Sequence, residues 1–169
     1  MAVGTFVFNV AKVKFANGTL DFDTDVIKVT LFDSDFAFPF TLDAFKDKAT
    51  VAAILTTPGW EAAGGTYTNG PGGTIRLTLA GVSVAQDDIN NRAKLIANDV
   101  EWAGDAGGIN VGTVNGALVY KHVSGTDDTL NFPIAWYDDG GFPIATNGGS
   151  LKIKWAENTG TAGIVVALT

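Results

Sequence analysis

The stretch Ile27-Lys28-Val29-Thr30-Leu31 alternates apolar and polar side chains at every step. A period of two puts three aliphatic groups on one face of an extended chain and predicts a half-buried β-strand. The same alternation returns at Ile75, Leu77 and Leu79, and at Leu130, Phe132, Ile134 and Trp136. It returns again at Leu151, Ile153 and Trp155, and at Ile164, Val166 and Leu168. Val82 and Val84, the run through Leu95, Ala97, Val100 and Trp102, and the segment Ala117 to Val123 add further candidate strands. Between these runs stand turn signals: Pro58-Gly59, Gly64-Gly65, Pro71-Gly72-Gly73 and the glycine-rich segment Asp105 to Gly116. The long connection from Thr56 to Gly73 is of the kind that is either functional or packed against a partner. Together they predict a mainly β chain, a β-sandwich or barrel-like antiparallel fold of about seven to nine strands.

Helices are expected to be few and short. Phe6, Val10 and Val13 recur at helical spacing, and Asn17-Gly18 suits a helix end. Phe6, Phe8 and Val10 alternate as a strand would, but the alternation fails at Ala11-Lys12, so a short N-terminal helix is expected. A second short helix is expected from Thr41 to Lys48, with Thr41 as cap and Asp43 in the first turn. Composition agrees, since all but three of the 18 acidic residues are aspartates and glycine occurs 21 times. Aspartate bonds to nearby backbone and favours turns, whereas glutamate favours helix interiors. No linker and no fixed-period repeat divides the chain, which reads as one domain over residues 1–169.

Several functions are disfavoured by composition. Cysteine is absent, which excludes disulfides, thiolate metal sites and cysteine nucleophiles. His122 is the only histidine, so no two-histidine metal motif exists within one chain. A net charge of −7 argues against binding nucleic-acid phosphates or an anionic membrane surface. No apolar run approaches the ~20 residues that span a bilayer. The first residues lack the basic segment of a signal peptide, and Asn9 interrupts their apolar run, so synthesis in the cytoplasm is expected. Neither a cofactor nor a metal is expected.

The candidate chemistry is sparse. Asp21, Asp23 and Asp25 could present oxygens to calcium, but they lack the glycine and the terminal glutamate of an EF-hand loop. They read better as an acidic entry to the Ile27 strand. His122 has no nucleophile-elbow pattern near it and reads as a strand-end residue. A glycosidase-like pair of carboxylates would require two acids facing a cleft; here the glutamates are scattered singly and the aspartates sit among turn residues. No enzyme is expected. Trp102 and Trp155 fit alternating strands and are expected in the core. The aromatic residues Phe6, Phe8, Trp60, Tyr67, Trp136 and Tyr137 are candidates for an interface. For Trp60 and Tyr67, packing in the core or within a loop is an equal alternative. Phe6 and Phe8 lie near the terminus. If they meet a partner, removal of residues 1–17 leaves the fold intact; if they belong to the core, it unfolds the chain.

One resemblance spans nearly the whole chain. Its residues are Asn17-Gly18-Thr19-Leu20-Asp21-Phe22-Asp23-Thr24-Asp25-Val26-Ile27-Lys28-Val29, then Ala97-Asn98-Asp99-Val100-Glu101-Trp102, then Leu118-Val119-Tyr120-Lys121. The end reads Thr146-Asn147-Gly148-Gly149-Ser150-Leu151-Lys152-Ile153-Lys154-Trp155. In that order they resemble a family of small virion proteins of tailed bacteriophages. The chain departs from the family where Trp60-Glu61-Ala62-Ala63 precedes Gly64-Gly65, and again at Asp33 to Pro39. The resemblance implies a non-enzymatic structural protein of the virion, a decoration or cement protein that stabilises the capsid. Its implied partners are the major capsid protein or other virion subunits, and further copies of itself in a homo-oligomer. The alternative it implies is a tail, baseplate or fibre-adaptor component, with host glycans as a possible ligand class.

Overall fold

A computed structural model describes residues 5–33, 42–56, 60–103, 109–123, 125, 127–139, 141–157 and 162–168. Strand β1 (Phe6–Val7) leads into helix α1 (Asn9–Ala16), and β2 (Ile27–Asp33) is followed by α2 (Leu42–Lys46). Then come β3 (Leu77–Thr78), β4 (Ser83–Asp87), β5 (Arg92–Asn98), β6 (Val100–Trp102) and β7 (Thr113–Lys121). The chain continues through β8 (Phe132–Tyr137), β9 (Ile144–Ala145), β10 (Leu151–Ile153) and β11 (Ala162–Leu168). Every pairing between these strands is antiparallel. The mainly β expectation holds. Three of the strands are only two residues long, and without them the number falls within the range read from alternation. The sheets are open, so the fold is sandwich-like and no closed barrel is formed among the described residues.

The largest sheet runs β1-β8-β7-β2-β3. β9 also pairs with β7, at Thr113 and Val114, on the edge away from β2 and beyond the end of β8. A second sheet is β11-β5-β4, and β10 pairs with β6. Their inward faces share one core, in which Val29, Leu31, Val119 and Ile134 join Leu95, Ala97, Val166, Trp102 and Leu151. Trp102 and Trp155 lie in it as expected. Their indole N–H groups donate to the carbonyls of Ile75 (2.9 Å) and Asn98 (2.8 Å), which lets two large polar-tipped rings be buried. Glycine at position 116 is required by the packing of a third indole, Trp136: a Cβ there would lie 2.5 Å from its ring.

The helical reading of the N-terminus holds from Asn9 onward, and Gly18 takes a φ of 71° just past the helix end. Thr41, the expected cap of α2, lies outside the described residues, as do Pro58-Gly59, Asp105, Ser124 and most of the Asp33 to Pro39 loop.

Two of the six interface candidates are corrected here. Phe8 is 0% exposed and Trp136 is 1% exposed. β1 pairs with β8, setting Phe6 opposite Trp136, and the Phe8 amide donates to the Ile134 carbonyl at 2.9 Å. The pairing folds the N-terminus onto the sheet. Phe8 meets Phe45 edge-on at 5.2 Å, Phe45 meets Trp136 at 5.3 Å, and Trp136 meets Phe32 at 5.0 Å. Tilted and edge-on contacts of this kind add to the burial of the rings. The N-terminal segment is therefore part of the core, and removal of residues 1–17 is expected to unfold the chain. Phe8→Ala should cost about 3–5 kcal/mol in urea unfolding, whereas wild-type stability in that variant would contradict this placement.

Candidate interaction surface

Three glycine-rich segments, 62–74, 109–116 and 141–150, contain no charged side chain, although the chain carries a net −7. The fold brings them together. A Cβ on Gly64 would lie 2.6 Å from the Asn110 carbonyl oxygen, so the first segment rests directly on the backbone of the second. The second is sewn to the third: Ile109 N–H donates to Gly149 O (3.2 Å), Gly148 N–H to Ile109 O (2.9 Å) and Thr146 N–H to Gly112 O (2.9 Å). Thr146 Oγ1 accepts from the Val111 amide at 2.9 Å and donates to Gly112 O at 2.8 Å. Ala63, Thr66, Thr68, Asn69, Asn110 and Asn147 are exposed across this surface.

The first segment is long and has little regular structure, so its backbone groups need partners of its own. Gly64 and Tyr67 exchange two backbone hydrogen bonds, at 2.9 and 3.0 Å. Thr68 and Thr74 each donate a backbone N–H to the other's hydroxyl, and the Ile75 amide donates to Thr68 O. Gly73 passes so close that a Cβ would lie 2.3 Å from the Thr68 carbonyl oxygen, so only glycine fits.

The base of this segment is fixed by a buried ion network. The Arg76 guanidinium donates through Nε to Glu61 Oε1 (2.5 Å) and through Nη2 to Glu61 Oε2 (2.9 Å). Its Nη1 donates to Asp128 Oδ1 at 2.6 Å, and Nη2 also reaches Asp128 Oδ2 at 2.9 Å. Glu61 in turn accepts from the Thr30 hydroxyl of β2 and from the Gly70 amide, both at 2.6 Å. Asp128 accepts from the Asn131 side chain at 3.0 Å, whose oxygen takes the Val123 amide at 2.8 Å. Burial works against the Arg76 charge, but hydrogen bonds to Asp128 and Glu61 outweigh it and hold its pKa above the ordinary arginine value. The guanidinium carbon lies 5.6 Å from the centroid of the Tyr120 ring. Burial pushes the Tyr120 hydroxyl up to about 12, against the opposing pull of Arg76.

The remaining interface candidates are all half-buried. Phe6 packs on Phe8 (5.0 Å) and Phe45 (5.5 Å), with Lys46 Nζ 5.5 Å above its ring. Tyr137 donates its hydroxyl to the Val165 carbonyl and leans on Trp155, so it ties the large sheet to β11. Burial, then the nearby Asp139 charge, raises its pKa. Tyr67 belongs to the first uncharged segment, and Trp60 precedes that segment by two residues. Trp60 accepts the Asp33 amide on its carbonyl (2.9 Å), and the Tyr67 hydroxyl donates to Ala103 O at 3.0 Å.

The acidic string ends in turn chemistry. Asp25 accepts the Asp21 amide at 2.9 Å and pairs with Lys121 at 2.6 Å. A protonated Asp23 donates to the Asp21 carboxylate, which lowers the pKa of Asp21 and raises that of Asp23. Among the described residues, no group of three or more histidine and carboxylate side chains is arranged to hold a metal ion.

The aromatics drew the sequence reading, and the ion network escaped it. A signal was present in rarity. The chain has two arginines and three glutamates, and both arginines pair with a glutamate, Arg76 with Glu61 and Arg92 with Glu157. Compared with protein-family models, with curated proteins and with solved structures, the chain finds no match.

Arg76→Ala leaves two carboxylates without their cation in a buried site and should cost about 3–5 kcal/mol in urea unfolding. A loss within about 0.5 kcal/mol, typical of a surface change, would contradict the network. His122 offers a second test. Burial first, then the positive charges of Lys28 and Arg76, lower its pKa, with Asp128 and the Asn131 side chain opposing. The unfolded chain therefore binds the proton more readily, and stability should rise with pH between the lowered folded value and the ordinary ~6.5. The single histidine assigns its own NMR signal, and a ring titrating at or above ~6.5 would contradict the placement.

Proposed function

We propose that this chain is a non-enzymatic structural protein of a tailed-bacteriophage virion, a decoration or cement protein that stabilises the capsid shell. The observation that carries the reading is the uncharged surface formed by segments 62–74, 109–116 and 141–150, held firm from beneath by Arg76. It agrees with the resemblance of the chain to small virion proteins. A charged group taken out of water at an interface must find a partner or incur a large penalty. A surface of glycine, threonine and asparagine carries no such burden, and exposed side chains such as Thr66 and Asn110 offer a hydroxyl and an amide for hydrogen bonds. A pinned loop also loses little conformational freedom on docking. Stable interfaces remove ~1,200–2,000 Å² from water, an area that calls for several contiguous segments of this kind. The acidic remainder keeps free copies soluble and away from packaged nucleic acid.

A second reading, a tail or baseplate component that contacts host glycans, is favoured by Trp60 and Tyr67. Tyr67 lies in the first segment and Trp60 just before it, both are only half-buried, and aromatic rings stack well on sugars.

Gold-labelled antibody microscopy of the virions that contain this chain separates the two. Gold spread over the head shell is the expected result, with incorporation reduced in Thr66→Asp, which places a charge on the surface without touching the network. Gold confined to the tail or its tip would overturn the capsid reading in favour of the second.

A further inference from the structure

Strand β4 is an outer strand of the β11-β5-β4 sheet, and its far edge pairs with no strand among the described residues. An open edge presents a row of unpaired donors and acceptors, and proteins that must avoid strand addition place a lysine, a proline or a bulge there. Ser83-Val84-Ala85-Gln86-Asp87 has neither lysine nor proline. Its register against β5 runs unbroken from Ser83 opposite Ile96 to Asp87 opposite Arg92.

The side chains point the same way. Partners directly opposite across an antiparallel sheet share a face, so Val166, Leu95 and Val84 form one apolar row. Val166 and Leu95 are buried, but Val84 at the end of the row is 49% exposed. The row runs off the edge of the sheet into solvent. A groove of about 550 Å³ lies along this strand, lined by Val84, Gln86, Ala93 and Leu168 and, toward the β4–β5 turn, by Asp87, Asp88 and Arg92.

The edge is also pre-formed and electrically quiet. Asp87 accepts from the Asn90 side chain (2.9 Å) and from Arg92 Nε (2.8 Å), with Lys94 Nζ at 3.5 Å, which fixes the β4–β5 turn. Two chains that each carry −7 repel one another. Ser83 to Gln86 bears no charge and Asp87 is paired with Arg92 and Lys94, while Asp88 and Glu157, which shares Arg92, lie at the β4–β5 turn end, so a second copy can approach the strand itself against little repulsion.

We propose that β4 pairs with β4 of a second copy of this chain, antiparallel across a two-fold axis at Val84. In that register Val84 meets its own counterpart, and the Val166–Leu95–Val84 row continues into the second molecule. Val82 falls opposite Gln86 and Gly81 opposite Asp87, so no like charges meet. Such strand addition supplies affinity through main-chain hydrogen bonds and specificity through side chains in the adjoining groove. A two-fold contact closes on itself and stops at the dimer. The pairing does not rest on the virion reading, because it is measured on the isolated chain.

Size-exclusion chromatography with light scattering tests it. The wild-type chain should show twice the mass of one chain, falling on dilution, and Val84→Lys should show the mass of one chain with an unchanged circular dichroism spectrum. If Val84→Lys fails to fold, Val84→Cys serves instead, because the chain has no cysteine of its own. Mild oxidation should link Val84→Cys into a dimer much faster than Ile89→Cys, whose site is 92% exposed but off the axis. A wild-type chain of single mass at every concentration, a dimer untouched by Val84→Lys, or equal cross-linking at both cysteines would overturn the proposal.

Discussion

The guanidinium of Arg76, held between Glu61 and Asp128, is the contact on which the candidate surface depends. Through Glu61 it reaches Thr30 in the large sheet and the Gly70 amide in the uncharged loop. Through Asp128 it reaches Asn131 and, one bond further, the Val123 amide two residues beyond β7. A lysine would not replace it, since its single ammonium lacks the planar fork that meets two carboxylates at once. Buried ion pairs of this kind add little net stability over an apolar packing, yet removing one member is severe. The network therefore reads best as a device that selects one loop geometry.

The aromatic cluster performs the complementary task for the N-terminus. Phe8, Phe45, Trp136 and Phe32 form a chain of edge-on contacts that bring the β1–α1 junction, α2, β8 and β2 together. With these rings inside, the surface formed by segments 62–74, 109–116 and 141–150 exposes small and uncharged side chains such as Ala63, Thr66, Asn69 and Asn110. Charge is then distributed unevenly: acids gather at turns such as Asp21 to Asp25 and Asp87-Asp88, while the stitched surface has none. The two proposed contacts, one toward a shell and one between copies, occupy separate places on the same scaffold: the stitched segments and the β4 edge.

Much of the fold was legible in local pattern. The alternation at Ile27 to Leu31 and Phe132 to Trp136 became β2 and β8, and the Asn17-Gly18 signal marked the end of α1. Alternation tells which residues share a face, but it does not tell what covers that face. Phe8 and Trp136 were therefore misjudged: their cover comes from Phe45 and Phe32, which lie far away in sequence. The ion network was hidden for the same reason, since Arg76 and Asp128 are 52 residues apart. The edge of β4 was equally unreadable, because whether a strand lies outside or inside a sheet is settled only by the pairing of the others.

Native-state hydrogen exchange at three amides bears most directly on the claim that Arg76 locks the loop. Gly70 N–H donates to Glu61, Ala52 N–H to the Asp128 carbonyl and Val123 N–H to Asn131, and none of the three lies in a β-ladder. If the network holds, all three should be protected nearly as well as the central strand β7 and should open together. Exchange of Gly70 and Val123 at the rate of an unstructured chain, with β7 still protected, would contradict the account.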